Sequence, residues 1–162
     1  SAVKFRLGFP MGIFELADFT GLDVIHKATV EMHTRDKKVI LPHPTIEQLF
    51  NEKKLGQKSG EGFYKYSDDK YERIPLSEEL AQKCNPIQII GNILNNAAWL
   101  VTNNASDIDE IEKAANLGLG LKKPLFETAK EIGMQKIVDE LNQLSKKYGT
   151  FYEPDSLLLS MC

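Results

Sequence analysis

Two stretches of the chain, LGFPMGIFELADFTGLDVI at residues 7–25 and LGLKKPLFETAKEIGMQKI at residues 119–137, carry one pattern. In both, a Leu-Gly pair comes first, Phe-Glu-x-Ala follows, and a glycine then precedes an isoleucine by four residues. Each residue of the second stretch lies 112 positions after its match in the first. Self-similarity at a fixed offset is typical of a repeated structural unit. The sequence therefore predicts two copies of one unit that pack together as a pseudo-symmetric pair.

The two copies contain different amounts of this unit. About thirty residues of helical pattern precede Leu119, whereas six residues precede Leu7. We predict a first copy over residues 3–66, truncated at its start, a linker over residues 67–85, and a second, degenerate copy over residues 86–162. We also expect the chain to be a middle piece of a longer polypeptide.

Beyond the quoted stretches the offset between the copies changes. Pro44 and Leu49 of the first copy match Pro154 and Leu159 of the second at an offset of 110. This change predicts that two residues have dropped out of the second copy between the quoted stretch and its last helix.

The composition is that of a folded domain and excludes several classes of function. Of the 162 residues, 42% are hydrophobic and 27% are charged, with a net charge of −3, so the chain can form a packed core. It has no basic block, which argues against nucleic acid as a partner, and no apolar run long enough to span a membrane. Cys84 and Cys162 lack metal-ligand spacing. We expect free thiols in a reducing cytoplasm.

Hydrophobic periodicity predicts an all-α bundle with one extended loop. Apolar residues recur at helical spacing over residues 90–101 and 134–148. Pro86 suits the start of the first of these helices, and Gly149 suits the end of the second. Further helices are predicted at residues 45–54, 77–83 and 124–132, and from Pro154 onward.

Charged and titratable side chains on the first-copy helices have simple interpretations. Asp18 and Glu15 are interpreted as solvated charges on an outer helix face. His26 and His33 lie seven residues apart on one predicted helix, so they are candidate ligands or acid–base groups. No carboxylate or third ligand stands at a fitting spacing, which favours surface histidines. His43, between two prolines, is assigned no chemistry.

The stretch GQKSGEGFYKY at residues 56–66 interrupts the helical pattern. Three glycines raise the entropic cost of helix formation, and the aromatic run that follows favours an extended segment. A phosphate-binding loop is the functional alternative, but it requires a preceding strand and a following helix. Glu61 also opposes anion binding. We therefore interpret Lys58 as a solvated lysine rather than a phosphate contact.

No spacing in the chain indicates a reaction centre. There is no Ser–His–Asp or Cys–His arrangement, no zinc or calcium pattern and no dinucleotide-binding fingerprint. The residues alone predict a helical module without catalytic, cofactor-binding or metal-binding residues.

Two motifs nevertheless resemble a known family. LGFPMGIFELAD at residues 7–18, with GLDV at residues 21–24, resembles the signature of the C-terminal domain of 3-hydroxyacyl-CoA dehydrogenases, and KSGEGFY at residues 58–64 resembles that domain's closing motif. Ile13 stands where the family usually has proline, and residues 122–124 depart from the Pro-Met-Gly segment. The resemblance implies two pseudo-symmetric copies of the 6-phosphogluconate-dehydrogenase-C-terminal-like helical unit, as in multifunctional fatty-acid oxidation enzymes.

The resemblance also implies an activity. Such enzymes oxidise a (3S)-3-hydroxyacyl-CoA to a 3-ketoacyl-CoA with NAD in fatty-acid β-oxidation. An N-terminal Rossmann domain carries NAD and the catalytic His–Glu pair, so the isolated chain is expected to be inactive. The helical domain closes over the acyl-CoA, and in single-copy members it forms the dimer contact. With two copies in one chain, the second copy is expected to replace the partner subunit. An enoyl-CoA hydratase domain following Cys162 is a further implied partner.

The resemblance places the first-copy loop next to the acyl-CoA. The residues expected to contact substrate are Gly8, Pro10, Met11, Gly12 and Phe14. The alternative is that they only shape a turn and a helix contact. Two other functions stay open at this point: a non-catalytic helical dimerisation or scaffold module, and a sister dehydrogenase acting on hydroxybutyryl-CoA or on unusual hydroxy acids.

Overall fold

The computed structural model describes residues 2–67, 70–71, 77–121 and 123–162, and these residues are mainly helical. The α-helices are Ala2–Leu7 (α1), Ile13–Thr20 (α2), Leu22–Arg35 (α3), Pro44–Asn51 (α4), Glu78–Gln82 (α5), Ile87–Thr102 (α6), Ile108–Leu119 (α7), Leu125–Ile132 (α8), Met134–Tyr148 (α9) and Ser156–Ser160 (α10). Two short antiparallel strands, Tyr66–Ser67 (β1) and Lys70–Tyr71 (β2), follow the glycine-rich segment. The prediction of an all-α fold is confirmed.

The chain divides into two compact units. The first unit is Met11–Ser77 and contains α2, α3, α4 and the strand pair. The second unit combines Ala2–Pro10 with Glu78–Cys162 and so contains α1 and α5 to α10. Parts of the predicted linker, including Pro75, lie outside the described residues, as does Lys122 of the predicted departure from the family pattern.

The second unit is built around α6. Ile90, Leu94 and Ala98 on this helix are at most 1% exposed and pack into one apolar cluster with residues of α8 and α9. Burying a side chain of this size contributes about 1.5–3 kcal/mol. The amide of Asn95 donates to the carbonyl of Glu153 at 2.9 Å and accepts from the backbone N–H of Asp155 at 2.8 Å, which fixes the start of α10 beside α6.

The helices of the two units begin in the same register. The starts of α2 and α8, and those of α3 and α9, are 112 residues apart. Gly21 and Gly133 separate these helix pairs with nearly the same backbone angles, φ 98° and ψ 124° against φ 103° and ψ 112°. Positive φ at both positions favours glycine.

The offset of 110 predicted from the prolines is not the offset of the helix starts. The side chain of His43 accepts from the backbone N–H two residues on and caps α4, and the side chain of Asp155 caps α10 in the same way. These capping residues are again 112 apart. Consequently Pro44 is the first residue of α4, whereas Pro154 precedes the cap of α10, so the predicted start of the last helix was two residues too early.

Candidate functional site

The glycine-rich segment folds into a tight loop whose three glycine amides bond within the loop. Gly56 donates its N–H to the carbonyl of Glu61 at 2.8 Å, and Gly62 donates to that of Tyr64 at 2.9 Å. A single 3₁₀ turn, Gln57–Ser59, lies between them. These amides therefore do not converge on an empty centre as in a phosphate-binding loop.

A buried carboxylate on α2 holds this loop in place. Asp18 on α2 is 0% exposed and accepts the backbone N–H groups of Phe63 and Tyr64, both at 2.9 Å. It also accepts the hydroxyl of Tyr66 at 3.0 Å. Hydrogen bonds to a charged group are among the stronger ones, at about 1.5–3 kcal/mol each. The interpretation of Asp18 as a solvated outer-face charge was wrong.

Two glycines of the loop are required by how closely it approaches Asp18. A Cβ on Gly56, where φ is +96°, would lie 2.3 Å from the carbonyl oxygen of Asp18. A Cβ on Gly62 would lie 2.2 Å from Oδ1 of the same residue. Neither distance is tolerable for a side chain, so the spacing of these glycines reflects their fit around one carboxylate.

Lys58, interpreted as a solvated lysine, forms an ion pair with Asp23 in the first turn of α3. The hydrogen bond from Lys58 lowers the pKa of Asp23 below its ordinary value of 3.8, although partial desolvation of the carboxyl opposes this. Lys58 therefore links the loop to α3, and its partner is a carboxylate rather than a phosphate.

The histidines of the first unit contact neighbouring residues of that unit, and Nδ1 of His26 is buried without a hydrogen-bond partner among the described residues. His26 stacks on Phe50 of α4 with ring centroids 4.2 Å apart and planes 3° from parallel. Nδ1 of His33 lies 2.5 Å from the carbonyl oxygen of Val39. Both residues are half-buried, so each stays partly exposed at the surface. Over the described ranges, no group of three or more His, Cys, Asp or Glu is placed to hold a metal ion.

The predicted substrate loop is divided between the units. Gly8 and Pro10 belong to the second unit. Gly8 follows α1 and has a φ of +70°. Pro10 lies against Gly120: a Cβ added to Gly120 would be 3.3 Å from Cγ of Pro10. A cavity of about 280 Å³ in this unit is lined by Arg6, Leu7, Gly8, Ile90, Leu121, Lys123, Thr128 and Glu131.

Met11, Gly12 and Phe14 belong to the first unit. Gly12 caps α2, and its N–H donates to the Glu15 carboxylate at 3.1 Å. Glu15, like Asp18, is therefore engaged in holding structure. The ring of Phe14 is 54% exposed and lies 4.6 Å from that of Phe63. Phe14 and Asp18 are one helical turn apart, so α2 presents both an aromatic and a carboxylate to the glycine loop.

Sequence reasoning missed the role of Asp18, and only a weak signal was available. Asp18 follows Phe14 by four residues and therefore shares its helix face. Its partners, however, lie 45 to 48 residues further along the chain. Nothing local distinguishes such a carboxylate from a solvated one.

Comparison with known proteins identifies the fold and motifs. The family model described as 3-hydroxyacyl-CoA dehydrogenase, C-terminal domain, matches residues 1–66 and 88–162. The hydroxyacyl-coenzyme A dehydrogenase of rat mitochondria (Rattus norvegicus) is 44% identical over 68 residues, covering 41% of this chain and 22% of the relative. The fatty acid oxidation complex subunit alpha of Vibrio parahaemolyticus is 27% identical over 165 residues, covering 93% of this chain and 24% of the relative.

Solved structures share the fold across almost the whole chain. The 3-hydroxybutyryl-CoA dehydrogenase from Escherichia coli superposes with a TM-score of 0.75 at 20% identity, covering 99% of this chain and 52% of that one. The dehydrogenase part of multifunctional enzyme 1 from C. elegans gives a TM-score of 0.65, also at 20% identity, covering 98% and 40%.

The fold defines an all-α domain whose two units have helices that start in the same register. In the first unit, a buried carboxylate anchors the glycine loop. The chain belongs to the 3-hydroxyacyl-CoA dehydrogenase C-terminal domain family. It spans about a quarter of the length of the curated relatives named above. Among the helices that the structure describes, none is both long and apolar enough to cross a membrane.

Proposed function

We propose that this chain is the helical, substrate-side and dimerisation domain of an NAD-dependent (3S)-3-hydroxyacyl-CoA dehydrogenase of fatty-acid β-oxidation. The observation that carries the proposal is the family match to both halves of the chain. The 93% coverage against a fatty acid oxidation subunit supports the tandem form, with copies over residues 3–66 and 86–162.

The geometry of the first unit fits a supporting role rather than a reacting one. Its buried carboxylate accepts backbone N–H groups and a tyrosine hydroxyl, His26 stacks on Phe50, and His43 caps α4. Proton and hydride transfer would then take place on a Rossmann domain of the same polypeptide that binds NAD. An enoyl-CoA hydratase domain is a further proposed partner, and the two exposed free cysteines suit a cytoplasmic location.

Within this proposal, Gly8, Pro10, Met11, Gly12 and Phe14 border the acyl-CoA. The exposed ring of Phe14 supports this role because an aromatic face at a domain surface suits contact with an acyl chain. Such a domain would act by excluding water from the reacting carbon rather than by supplying an acid or base.

The non-catalytic scaffold is the alternative function, and the same engaged carboxylates and histidines favour it. The encoding reading frame separates the two alternatives. A strand–G-x-G-x-x-G–helix pattern upstream of this chain would support the enzyme, whereas a start codon near Val3 with no such pattern would support the scaffold.

Enzyme assays complete the test. The purified chain with NAD and 3-hydroxybutyryl-CoA should form no NADH, because in this proposal hydride transfer takes place on the Rossmann domain. In the full polypeptide, Phe14→Ala should raise KM for the acyl-CoA about tenfold or more, while the exposed control Phe19→Ala should leave KM within twofold. Turnover by the isolated chain, or equal KM values for the two variants, would contradict the proposal.

A further inference from the structure

The cavity of the second unit has an apolar floor. Its volume is about 280 Å³, and Ile90 of α6 and Leu121 line it with only 1% and 7% of their surface exposed. Leu7, which packs against the same apolar cluster, also lines it. We call these three residues the apolar floor. Such a lining suits the hydrocarbon part of a small ligand.

Three charged and exposed side chains line the same cavity and form its mouth. Two of them, Lys123 and Glu131, make an ion pair at 2.7 Å. The third is Arg6, whose Nη1 donates to the carbonyl of Cys84 at 2.8 Å. A guanidinium has five N–H donors, so this bond orients the group and leaves donors for a ligand. The mouth therefore carries one positive charge in excess, which suits a single anionic group.

The polar lining of the cavity is not required by the repeated fold. At the positions 112 residues away, the other copy has glycine or an apolar residue in place of each polar side chain. These pairs are Arg6 with Gly118, Lys123 with Met11, Thr128 with Leu16, and Glu131 with Phe19. Because helices of the two units start in the same register, the shared path of the chain does not need charge here. The charges are a property of this cavity.

The volume of the cavity limits the size of the ligand. An apolar cavity of about 150 Å³ holds benzene, so a cavity nearly twice as large accommodates a ligand of about ten heavy atoms. A medium-chain carboxylate such as octanoate has this size. It offers an apolar tail to the floor and one negative charge to the mouth.

We propose that this cavity binds a medium-chain monocarboxylate, with its carboxylate at Arg6 and Lys123 and its chain on the apolar floor. The carboxylate accepts charge-assisted hydrogen bonds from the guanidinium and shares Lys123 with Glu131. A monoanion fits better than a phosphate dianion, because Glu131 leaves one unit of positive charge at the mouth. Gly8 also lines the cavity and is among the residues proposed to border the acyl-CoA, but it supplies no side chain here. The proposal does not depend on the dehydrogenase reaction.

The test is an NMR titration of the isotope-labelled intact chain with sodium octanoate. Saturable shifts should appear at the amides of Leu7 and Leu121 and be absent at Gly56 of the first unit. Two further probes separate the head of the ligand from its tail. Acetate has the head group with almost no tail, and octanol has the tail without the charge. Each should bind at least about tenfold more weakly than octanoate.

Variants at the mouth test the role of charge. Arg6→Gln should weaken octanoate binding at least about fivefold, because it removes charge-assisted hydrogen bonds. Arg35→Gln, an exposed arginine of α3, is the matched control and should change the affinity less than about twofold. Glu131→Gln should strengthen binding at least about twofold, since it removes the carboxylate that competes for Lys123. A merely destabilised variant would not show this gain.

Several results would overturn the proposal. These are the absence of saturable shifts in a wild-type chain of native circular dichroism, equal affinities of Arg6→Gln and Arg35→Gln, and octanol binding as tightly as octanoate. Tighter binding of octyl phosphate than of octanoate would also contradict it, because the site would then select a phosphate. None of these measurements uses NAD or CoA, so their failure would leave the proposed dehydrogenase role unaffected.

Discussion

The first and second units repeat one order of helices but are stabilised by different means. In the second unit, α6 supplies a row of buried apolar side chains against which α8 and α9 pack. In the first unit, α2 and α3 have no such helix among the described residues, and fixed polar contacts centred on Asp18 hold the glycine loop against them. One helical path can therefore be completed either by an apolar core or by contacts to a buried carboxylate.

The largest effect is expected from the centre of the apolar core. Leu94→Ala should destabilise the second unit by about 2–5 kcal/mol, because a fully buried leucine leaves a cavity. The exposed Leu100→Ala on the same helix is the control and should cost less than about 1 kcal/mol. Amide hydrogen exchange, resolved by residue, measures each unit separately. A loss of protection spread equally over both units would argue against two separate cores.

The next effect concerns the glycine loop of the first unit. Gly56→Ala should cost about 3 kcal/mol or more, because its Cβ would collide with the backbone of Asp18. Gly60→Ala also has a positive φ, at +78°, but has open space around it, and should cost about 1 kcal/mol. Urea unfolding followed by tyrosine signals of the loop compares the two variants. Equal costs would mean that backbone conformation, rather than closeness to Asp18, requires the glycine.

Asp18→Asn should destabilise the first unit by about 2–3 kcal/mol, since a neutral amide cannot accept both backbone N–H groups as a carboxylate does. Asp109→Asn, an exposed residue of α7, is the control and should cost less than about 0.5 kcal/mol. Amides of Phe63 and Tyr64 should lose exchange protection only in Asp18→Asn. If these two amides kept their exchange protection in Asp18→Asn, the carboxylate would not be what anchors the loop.

The smallest effect is expected from the exposed ion pair of Lys58 and Asp23. Because the folded pKa of Asp23 is below its ordinary 3.8, its contribution is fully present above about pH 4 and is lost as the pH falls through the lowered folded pKa. Lys58→Met should remove this part of the acid sensitivity of the first unit. Acid titration monitored by exchange of α3 amides measures the change. A variant with an unaltered acid profile would show that the pair contributes nothing measurable.

Much of the helical framework could be predicted because its signals are local. The apolar stripe at residues 134–148 and the glycine that follows it predict α9 with the observed ends. Pro86 likewise precedes the first residue of α6. The repeat could be predicted too, since Gly21 and Gly133 mark the same turn in both units.

The rest depends on contacts between residues distant in the sequence. Asp18 was misassigned because its partners come from a loop that folds back over more than forty residues. The two-residue gap inferred from Pro44 and Pro154 was wrong because proline occupies different positions relative to the helix cap in the two units. Similarly, the stacking of His26 on Phe50 could not be predicted, because it leaves no trace in the spacing of the histidines.

Both units follow one helical path, but within the ranges that the structure describes only the second is closed by a helix such as α6. Hydrogen exchange of the intact chain tests this difference directly, by comparing each amide of α3 with its counterpart 112 residues later in α9. Exchange should be slower in α9 at Ile137 and Leu141, which are fully buried, than in α3 at Ile25 and Thr29, which are half-buried. Equal or reversed protection at these pairs would contradict it.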